Sequence, residues 1–120
     1  MIKVKGIGVA PAELEDCLLG HPKVEDVAVL SIPDEYSGEV PKAYVVPQSS
    51  QPAGGSQELG RELIAYVRQQ KVRYKAVKEI EFIDAIPKSA SGKILRRVLR
   101  DQSRSGVSKG TVVREERASL

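Results

Sequence analysis

Two apolar segments separated by a short polar turn constrain the fold of this chain more than any other feature. Residues 24–32 (VEDVAVLSI) have the composition of a buried strand, and residues 40–46 (VPKAYVV) form a second apolar segment. The sequence between them, PDEYSG, is rich in residues that favour turns. We therefore predict an antiparallel pair of strands in the middle of the domain.

Apolar residues at helical spacing predict a helix just before this strand pair. Pro11 suits the first turn of a helix over residues 11–20, because proline lacks the N–H group that a helix start leaves unsatisfied. Leu14, Cys17 and Leu18 then form its buried stripe. The lone cysteine has no partner for an intramolecular disulfide, so we expect it to pack as a small apolar residue.

Three further elements follow the strand pair. An amphipathic helix is predicted over residues 57–71, with Ser56 as its N-cap. Residues 77–83 (VKEIEFI) alternate between apolar and polar and predict a third strand. A short helix is predicted over residues 93–101, with its apolar residues on one side and its arginines on the other.

Together these elements predict a small α+β fold: a three-stranded sheet with packed helices, plus an N-terminal β-hairpin. The core should be aliphatic, since the chain has no tryptophan and Phe82 is its single phenylalanine. We expect the folded domain to span residues 1–101 and residues 102–120 to be a flexible basic tail. His21 follows the first helix, next to Gly20 and Pro22, and is expected to be a surface loop residue.

The net charge of +3 conceals a strong asymmetry along the chain. Residues 1–60 carry a net charge of −5, whereas residues 61–100 carry +7. A basic second half is suited to binding phosphates, although a solvated basic face is an equal alternative. Nucleic acid is disfavoured, because the chain has no zinc pattern and no basic residues interleaved with aromatic ones. We predict no metal site.

The best candidate for chemistry is Lys93, which stands at the end of a Ser/Gly-rich loop just before a basic helix. The loop sequence is PKSASGK, and Gly92 allows backbone conformations that other residues avoid. A lysine on a loop that swings can be delivered to an anionic substrate, because its ammonium group is a compact charge on a long stem. Taken alone, the same lysine is also compatible with an ordinary surface position.

The whole run over residues 86–100 (IPKSASGKILRRVLR) resembles the C-terminal signature of the acyl-adenylate-forming enzymes, which include acyl-CoA and aryl-CoA synthetases. The resemblance implies that Lys93 is catalytic. It also implies that Lys93 contacts ATP, reaching the phosphates and the substrate carboxylate as the acyl-adenylate forms.

A second motif, residues 2–15 (IKVKGIGVAPAELE), resembles the segment after the hinge in members that form CoA thioesters. The resemblance implies that Lys3 is catalytic in thioester formation and that Lys5 and Gly6 line the path of CoA. Ile7 and Gly8 depart from the usual pattern, which has an aromatic residue and a glutamine there. Without the resemblance, two lysines on a strand would indicate an exposed face.

Two further groups of basic residues have less defined roles. Tyr74 and Lys75 match a Tyr-Lys pair of the family, which implies a structural or electrostatic role near CoA. Arg96, Arg97 and Arg100 either pair with carboxylates of a partner domain or are solvated.

The resemblance thus implies the mobile C-terminal domain of an ATP-dependent carboxylate–CoA ligase of the 4-coumarate–CoA ligase group. Its partner would be the N-terminal adenylation domain of the same protein, and its cofactors ATP, CoA and Mg, with Mg held through that other domain. The isolated chain should be inactive. Alternatives are an adenylation enzyme that loads a carrier-protein thiol, a luciferase-like oxidation of the adenylate, and a non-catalytic phosphate-binding module.

Localisation is predicted to be cytoplasmic, because no apolar run reaches the length of a membrane span and the N-terminus has no signal-peptide pattern. The terminal Ala118-Ser119-Leu120 is similar to a peroxisomal targeting tripeptide but lacks its basic middle residue. A peroxisomal location is therefore the alternative.

Overall fold

The centre of the fold is an antiparallel ribbon of two long strands, β3 and β4. The computed structural model describes residues 2–4, 7–35, 38–52, 54–70, 76–104 and 110–114. Its elements in chain order are β1 (Ile2–Val4), β2 (Ile7–Val9), α1 (Pro11–Leu19), β3 (Val24–Asp34), β4 (Gly38–Pro47), α2 (Gln57–Gln70), β5 (Glu79–Phe82), α3 (Arg96–Arg104) and β6 (Val112–Arg114). The ribbon confirms the predicted strand pair and extends it at the turn.

All six strands of the described residues belong to one mixed sheet. β3 lies along one side of β4, while β5 pairs with the other side in parallel and β6 pairs antiparallel with β5. The hairpin β1–β2 joins the same sheet through Val4, which pairs with Gly38. The α+β class and the N-terminal hairpin are confirmed. The sheet has more strands than the three predicted, because the hairpin pairs with the start of β4 and β6 pairs with the outer edge of β5.

The segment after residue 101 also differs from the prediction of a flexible tail. Helix α3 continues to Arg104, and Val112–Arg114 form β6. Val113 is fully buried, because it covers β5 and packs against α2. A short apolar stretch in a polar tail is therefore enough to pair with the open edge of a sheet.

Successive side chains of the central strands point to opposite faces of the sheet, and the apolar ones form a core on each face. One face carries α1 and α2, and its core is aliphatic apart from Phe82. On the other face, Leu99 of α3 and Ile86 pack against β3 and β4. This second core consists of Ala28, Leu30, Tyr44, Val46, Ile86 and Leu99. Helix α3 is thereby held against the ribbon.

The helix ends follow local chemistry. Ser56 Oγ accepts a hydrogen bond from the Leu59 N–H at 3.1 Å, which confirms the predicted N-cap of α2. In α1, Leu14 and Leu18 are fully buried and Cys17 packs at the edge of the core. Helix α3 begins at Arg96, three residues later than predicted, because the residues before it complete a hairpin.

His21 is buried, so the prediction of a surface loop residue is wrong. Its ring meets Tyr66 edge-on at 4.9 Å, and its Nε2 lies 2.9 Å from a carboxylate oxygen of Glu62. His21 Nδ1 accepts a hydrogen bond from the Lys23 N–H at 3.1 Å, which assigns the proton to Nε2. The hydrogen bond from the Lys23 ammonium lowers the pKa of Glu62. The histidine therefore joins the end of α1 to α2.

Gly60 of α2 allows β6 to approach the helix closely. A Cβ atom at this position would overlap the side chain of Val113. Alanine is the better helix former by ~1 kcal/mol, yet we expect Gly60→Ala to lower the free energy of unfolding by about 1–3 kcal/mol through overpacking. Urea unfolding measures the change. In Gly60→Ala/Val113→Ala the contacts with the two methyl groups of Val113 are gone and only the contact with its Cβ atom remains, so the alanine at 60 should then cost less. A single variant more stable than the native chain would contradict this packing.

Candidate functional site

Lys93 lies near the tip of a tight hairpin between β5 and α3. Lys88 pairs with Ile94 in an antiparallel bridge, and the Leu95 N–H donates to the Pro87 carbonyl oxygen at 2.8 Å. Nearer the tip, the Ser89 N–H donates to the Lys93 carbonyl oxygen at 2.9 Å. Lys93 therefore has a defined backbone conformation.

The tip of this hairpin uses glycine and serine for specific tasks. Gly92 has φ of +87°, a left-handed conformation that side chains with a Cβ atom disfavour. The Gly92 N–H donates to the Ser89 carbonyl oxygen at 2.9 Å and closes the turn. Ser89 Oγ accepts from the Lys93 N–H at 3.2 Å and lies 2.9 Å from Ser91 Oγ. The Ser/Gly-rich sequence thus builds an ordered turn.

Both stems of the hairpin are attached to β3. On the incoming stem, Lys88 Nζ lies 2.6 Å from a carboxylate oxygen of Asp26. On the outgoing stem, Arg96 donates to the carbonyl oxygen of Val29 at 2.6 Å and to the carboxylate of Glu15. Side-chain contacts therefore connect both ends of this loop to β3, through the Lys88–Asp26 ion pair and through the hydrogen bond from Arg96 to Val29.

Arg96 and Glu15 form a two-pronged ion pair. Arg96 Nη1 lies 2.7 Å from Glu15 Oε2, and Nη2 lies 3.0 Å from Oε1. The Val29 N–H donates to Glu15 Oε2 at 2.7 Å. Arg96 thus pairs with a carboxylate of its own domain and is partly buried, whereas Arg97 and Arg100 are exposed. This resolves one of the alternatives that the sequence left open.

The ammonium group of Lys93 is exposed and, within the described part of the chain, contacts no carboxylate. This arrangement contrasts with Lys88 five residues earlier, which is neutralised by Asp26. A cation with a fixed backbone and an unoccupied head group can bind an external anion such as a carboxylate or a phosphate.

Lys3 lies on β1, opposite Gly8 on β2, and its side chain is exposed. Its backbone N–H donates to Glu39 Oε1 at 3.0 Å, which ties the hairpin to β4. Lys5 and Gly6, together with Tyr74 and Lys75, lie outside the described residues.

The two lysine-bearing segments have separate anchors on the central ribbon. Glu39, which holds Lys3, is near the start of β4, while Asp26, which holds the Lys93 hairpin, is paired with Val46 near its end. Positions 39 and 46 are about 23 Å apart at the usual rise of a strand. The anchor of the Lys3 hairpin and the anchor of the incoming stem of the Lys93 hairpin are therefore well separated along the ribbon, while the outgoing stem is attached between them, at Val29, which pairs with Ala43.

Sequence reasoning missed the residues that support the hairpin: Glu15, Asp26 and Lys88. No local pattern in the sequence indicates this role for Glu15, because its partner Arg96 is far along the chain. Among the described residues no cluster of His, Cys, Asp and Glu has the makings of a metal site. Likewise, no helix of the described ranges is long and apolar enough to cross a membrane.

Comparison with known proteins identifies the family of this chain. Residues 13–93 match the family model of the AMP-binding enzyme C-terminal domain. The 4-coumarate–CoA ligase-like 9 protein of Oryza sativa subsp. japonica is 54% identical over 85% of this chain and 18% of its own length.

Solved structures give the same result. An acyl-CoA synthetase of Brucella canis superposes with a TM-score of 0.78 at 33% identity, over 87% of this chain and 19% of that one. The anthranilate–CoA ligase AuaEII, solved with anthranoyl-AMP, has a TM-score of 0.77 at 35% identity, over 89% of this chain and 21% of its own. The chain spans about one fifth of the length of these relatives. It therefore belongs to the family of AMP-binding enzyme C-terminal domains.

Proposed function

We propose that this chain works as the mobile C-terminal domain of an ATP-dependent carboxylate–CoA ligase. The observation that supports this most directly is an exposed lysine, Lys93, on a hairpin whose two stems are attached to the sheet. The similarity to 4-coumarate–CoA ligase-like and acyl-CoA synthetase proteins supports the same reaction class. The larger part of the ligase would supply the acid pocket and the remaining ATP contacts.

In the first step, the carboxylate of the acid attacks the α-phosphate of ATP, which yields the acyl-adenylate and pyrophosphate. Negative charge builds up on the phosphate and on the departing pyrophosphate. The Lys93 ammonium would neutralise that charge, and its effect is larger when domain closure excludes water. Because the hairpin is rigid, delivery of Lys93 requires movement of the whole domain.

In the second step, the CoA thiol attacks the adenylate carbonyl, and AMP leaves. We assign Lys3 to this step, with Lys5 and Gly6 along the path of CoA. A glycine there would let the pantetheine arm pass close to the backbone. Since Lys3 and Lys93 are carried by two different hairpins with separate anchors on the β3–β4 ribbon, the domain would rotate between the steps to exchange one lysine for the other.

The cofactors that this proposal requires are ATP, CoA and Mg. The described residues fit the anionic groups of ATP and CoA through Lys93 and Lys3, but they contain no carboxylate cluster for a cation. Mg would therefore be held by the N-terminal adenylation domain and the ATP phosphates. Ala118-Ser119-Leu120 lie outside the described residues, and a cytoplasmic location stays a prediction.

Removing this chain from the ligase tests the proposal. We expect loss of ATP-dependent thioester formation across a panel of aromatic and fatty acids, while the isolated chain forms no thioester, because its lysines lack the framework that positions them. Product analysis by mass spectrometry distinguishes adenylate from thioester. Thioester formation by the isolated chain, or a ligase that remains active without it, would contradict the proposal.

A further inference from the structure

Glu15 and Arg96 link three elements at the free side of β3. Glu15 is on α1, Arg96 is the first residue of α3, and between them they bond both the N–H and the carbonyl oxygen of Val29. In the described part of the sheet, β3 pairs only with β4, so these backbone groups point to an open edge. The ion pair thus takes the place of a neighbouring strand.

We infer that Arg96 and Glu15 are positioning residues for Lys93, an inference that rests on the proposed function. Arg96 is three residues after Lys93, so a shift of its backbone is passed to the lysine through a chain segment of about 10 Å at most. Lys88 and Asp26 hold the other stem, 2.6 Å apart. Because both stems are attached to β3, they determine the orientation of the hairpin, and of Lys93 within it, relative to the sheet.

The geometry requires an arginine at position 96. One guanidinium group donates to both Glu15 oxygens and to the Val29 carbonyl oxygen, at 2.6–3.0 Å. A lysine keeps the charge but lacks the planar fork that makes these bonds together. The carboxylate of Glu15 is nine-tenths buried, so it depends on these donors for compensation of its charge.

Arg96→Lys should therefore displace Lys93 without removing it. A misplacement of about 1 Å can cost about a hundredfold in rate, and we expect acyl-adenylate formation to slow by about ten- to a hundredfold. Glu15→Gln should have an effect in the same direction, because an amide accepts only part of the guanidinium fork. Thioester formation from preformed acyl-adenylate and CoA should change less than twofold, since that step does not use Lys93.

The test measures both half-reactions of the intact ligase, by pyrophosphate exchange and by CoA consumption from preformed adenylate. Lys23→Ala is the control, since this half-exposed lysine pairs with Glu62 at 3.0 Å and its removal should leave both rates unchanged. The decisive comparison uses the Lys93→Ala background. If Arg96 acts through Lys93, Arg96→Lys should cause no further loss of adenylation there.

Each outcome has one meaning. Selective loss of adenylation that disappears in the Lys93→Ala background supports the inference. An equal loss of both half-reactions would indicate a purely structural role of Arg96 and would overturn the inference. An unchanged adenylation rate in Arg96→Lys, or an additional loss of adenylation in the Lys93→Ala background, would also overturn it. If Lys93→Ala itself does not slow adenylation, the proposed role of Lys93 is wrong. That result differs from failure of this inference alone, in which Lys93→Ala slows adenylation but Arg96→Lys does not.

Discussion

In the proposed ligase, Lys93→Ala is expected to slow acyl-adenylate formation by about two orders of magnitude or more. The reason is electrostatic. The side chain carries an exposed ammonium group on a fixed backbone, and charge develops on the phosphates and pyrophosphate only as the reaction proceeds. Removing the ammonium therefore raises the barrier more than it weakens substrate binding. Pyrophosphate exchange measures this step, and kcat should fall more than the KM for ATP rises.

Two other lysine variants make the experiment specific. Lys23→Ala removes a half-exposed lysine that pairs with Glu62 at 3.0 Å, and it should leave both half-reactions unchanged. Lys3→Ala should show the opposite selectivity to Lys93→Ala, with normal adenylation and slow thioester formation. If Lys93→Ala and Lys3→Ala impair the same half-reaction, the assignment of one lysine to each step is wrong.

Lys42→Met is expected to destabilise the domain by about 3–5 kcal/mol. Lys42 is buried, and its Nζ lies 2.7 Å from Glu79 and 2.9 Å from Glu81. The same ammonium stands 4.8 Å from the ring centroid of Tyr44. Its removal leaves two buried carboxylates on neighbouring positions of one sheet face, with Arg114 Nε 2.8 Å from one oxygen of Glu79. Urea unfolding, monitored by far-UV circular dichroism, measures the loss.

The triple variant Lys42→Met/Glu79→Gln/Glu81→Gln separates charge from packing. It removes the whole charge cluster while keeping the volumes similar, so it should recover most of the lost stability. If the triple variant is as unstable as Lys42→Met alone, the loss comes from packing of the lysine stem. A Lys42→Met domain as stable as the native one would contradict the buried arrangement.

The same cluster predicts how stability depends on pH. Burial by itself would lower the pKa of Lys42, but the hydrogen bonds with Glu79 and Glu81 outweigh it and raise the pKa to about 12. A raised pKa in the folded state means that the lysine contributes its full stability below its ordinary value of 10.5. This contribution should be lost as the pH rises from 10.5 to about 12, and Lys42→Met should lack this part of the alkaline decline.

Local patterns predicted the elements well and their pairing only in part. The helices at 11–20 and 57–71 and the central strand pair followed from periodicity and from capping residues such as Ser56, which act over a few residues. By contrast, the parallel pairing of β5 with β4 and the addition of β6 involve segments far apart in sequence. Nothing in the alternation of a strand specifies which edge it joins, so these contacts were not predicted.

For polar residues, too, tertiary contacts and not the local sequence decided burial and partners. The neighbours Gly20 and Pro22 predict that His21 is a surface loop residue, but packing of α1 on α2 buries it beside Tyr66. The Lys42 cluster was not recognised, because its members reach each other only after β5 pairs with β4. A buried charge is stable only when its partner is in place, and that partner is chosen by strand register.

The sequence alone determined the class of the fold, the central ribbon and the presence of a Ser/Gly-rich loop that carries Lys93, because periodicity, turn chemistry and short motifs are local properties. It also carried the family resemblance, which the comparisons confirm. Only the tertiary structure decided that this hairpin is attached to β3 by Asp26–Lys88 and Glu15–Arg96. Those ion pairs join residues distant in sequence, and their geometry exists only once α1, β3 and α3 have packed together.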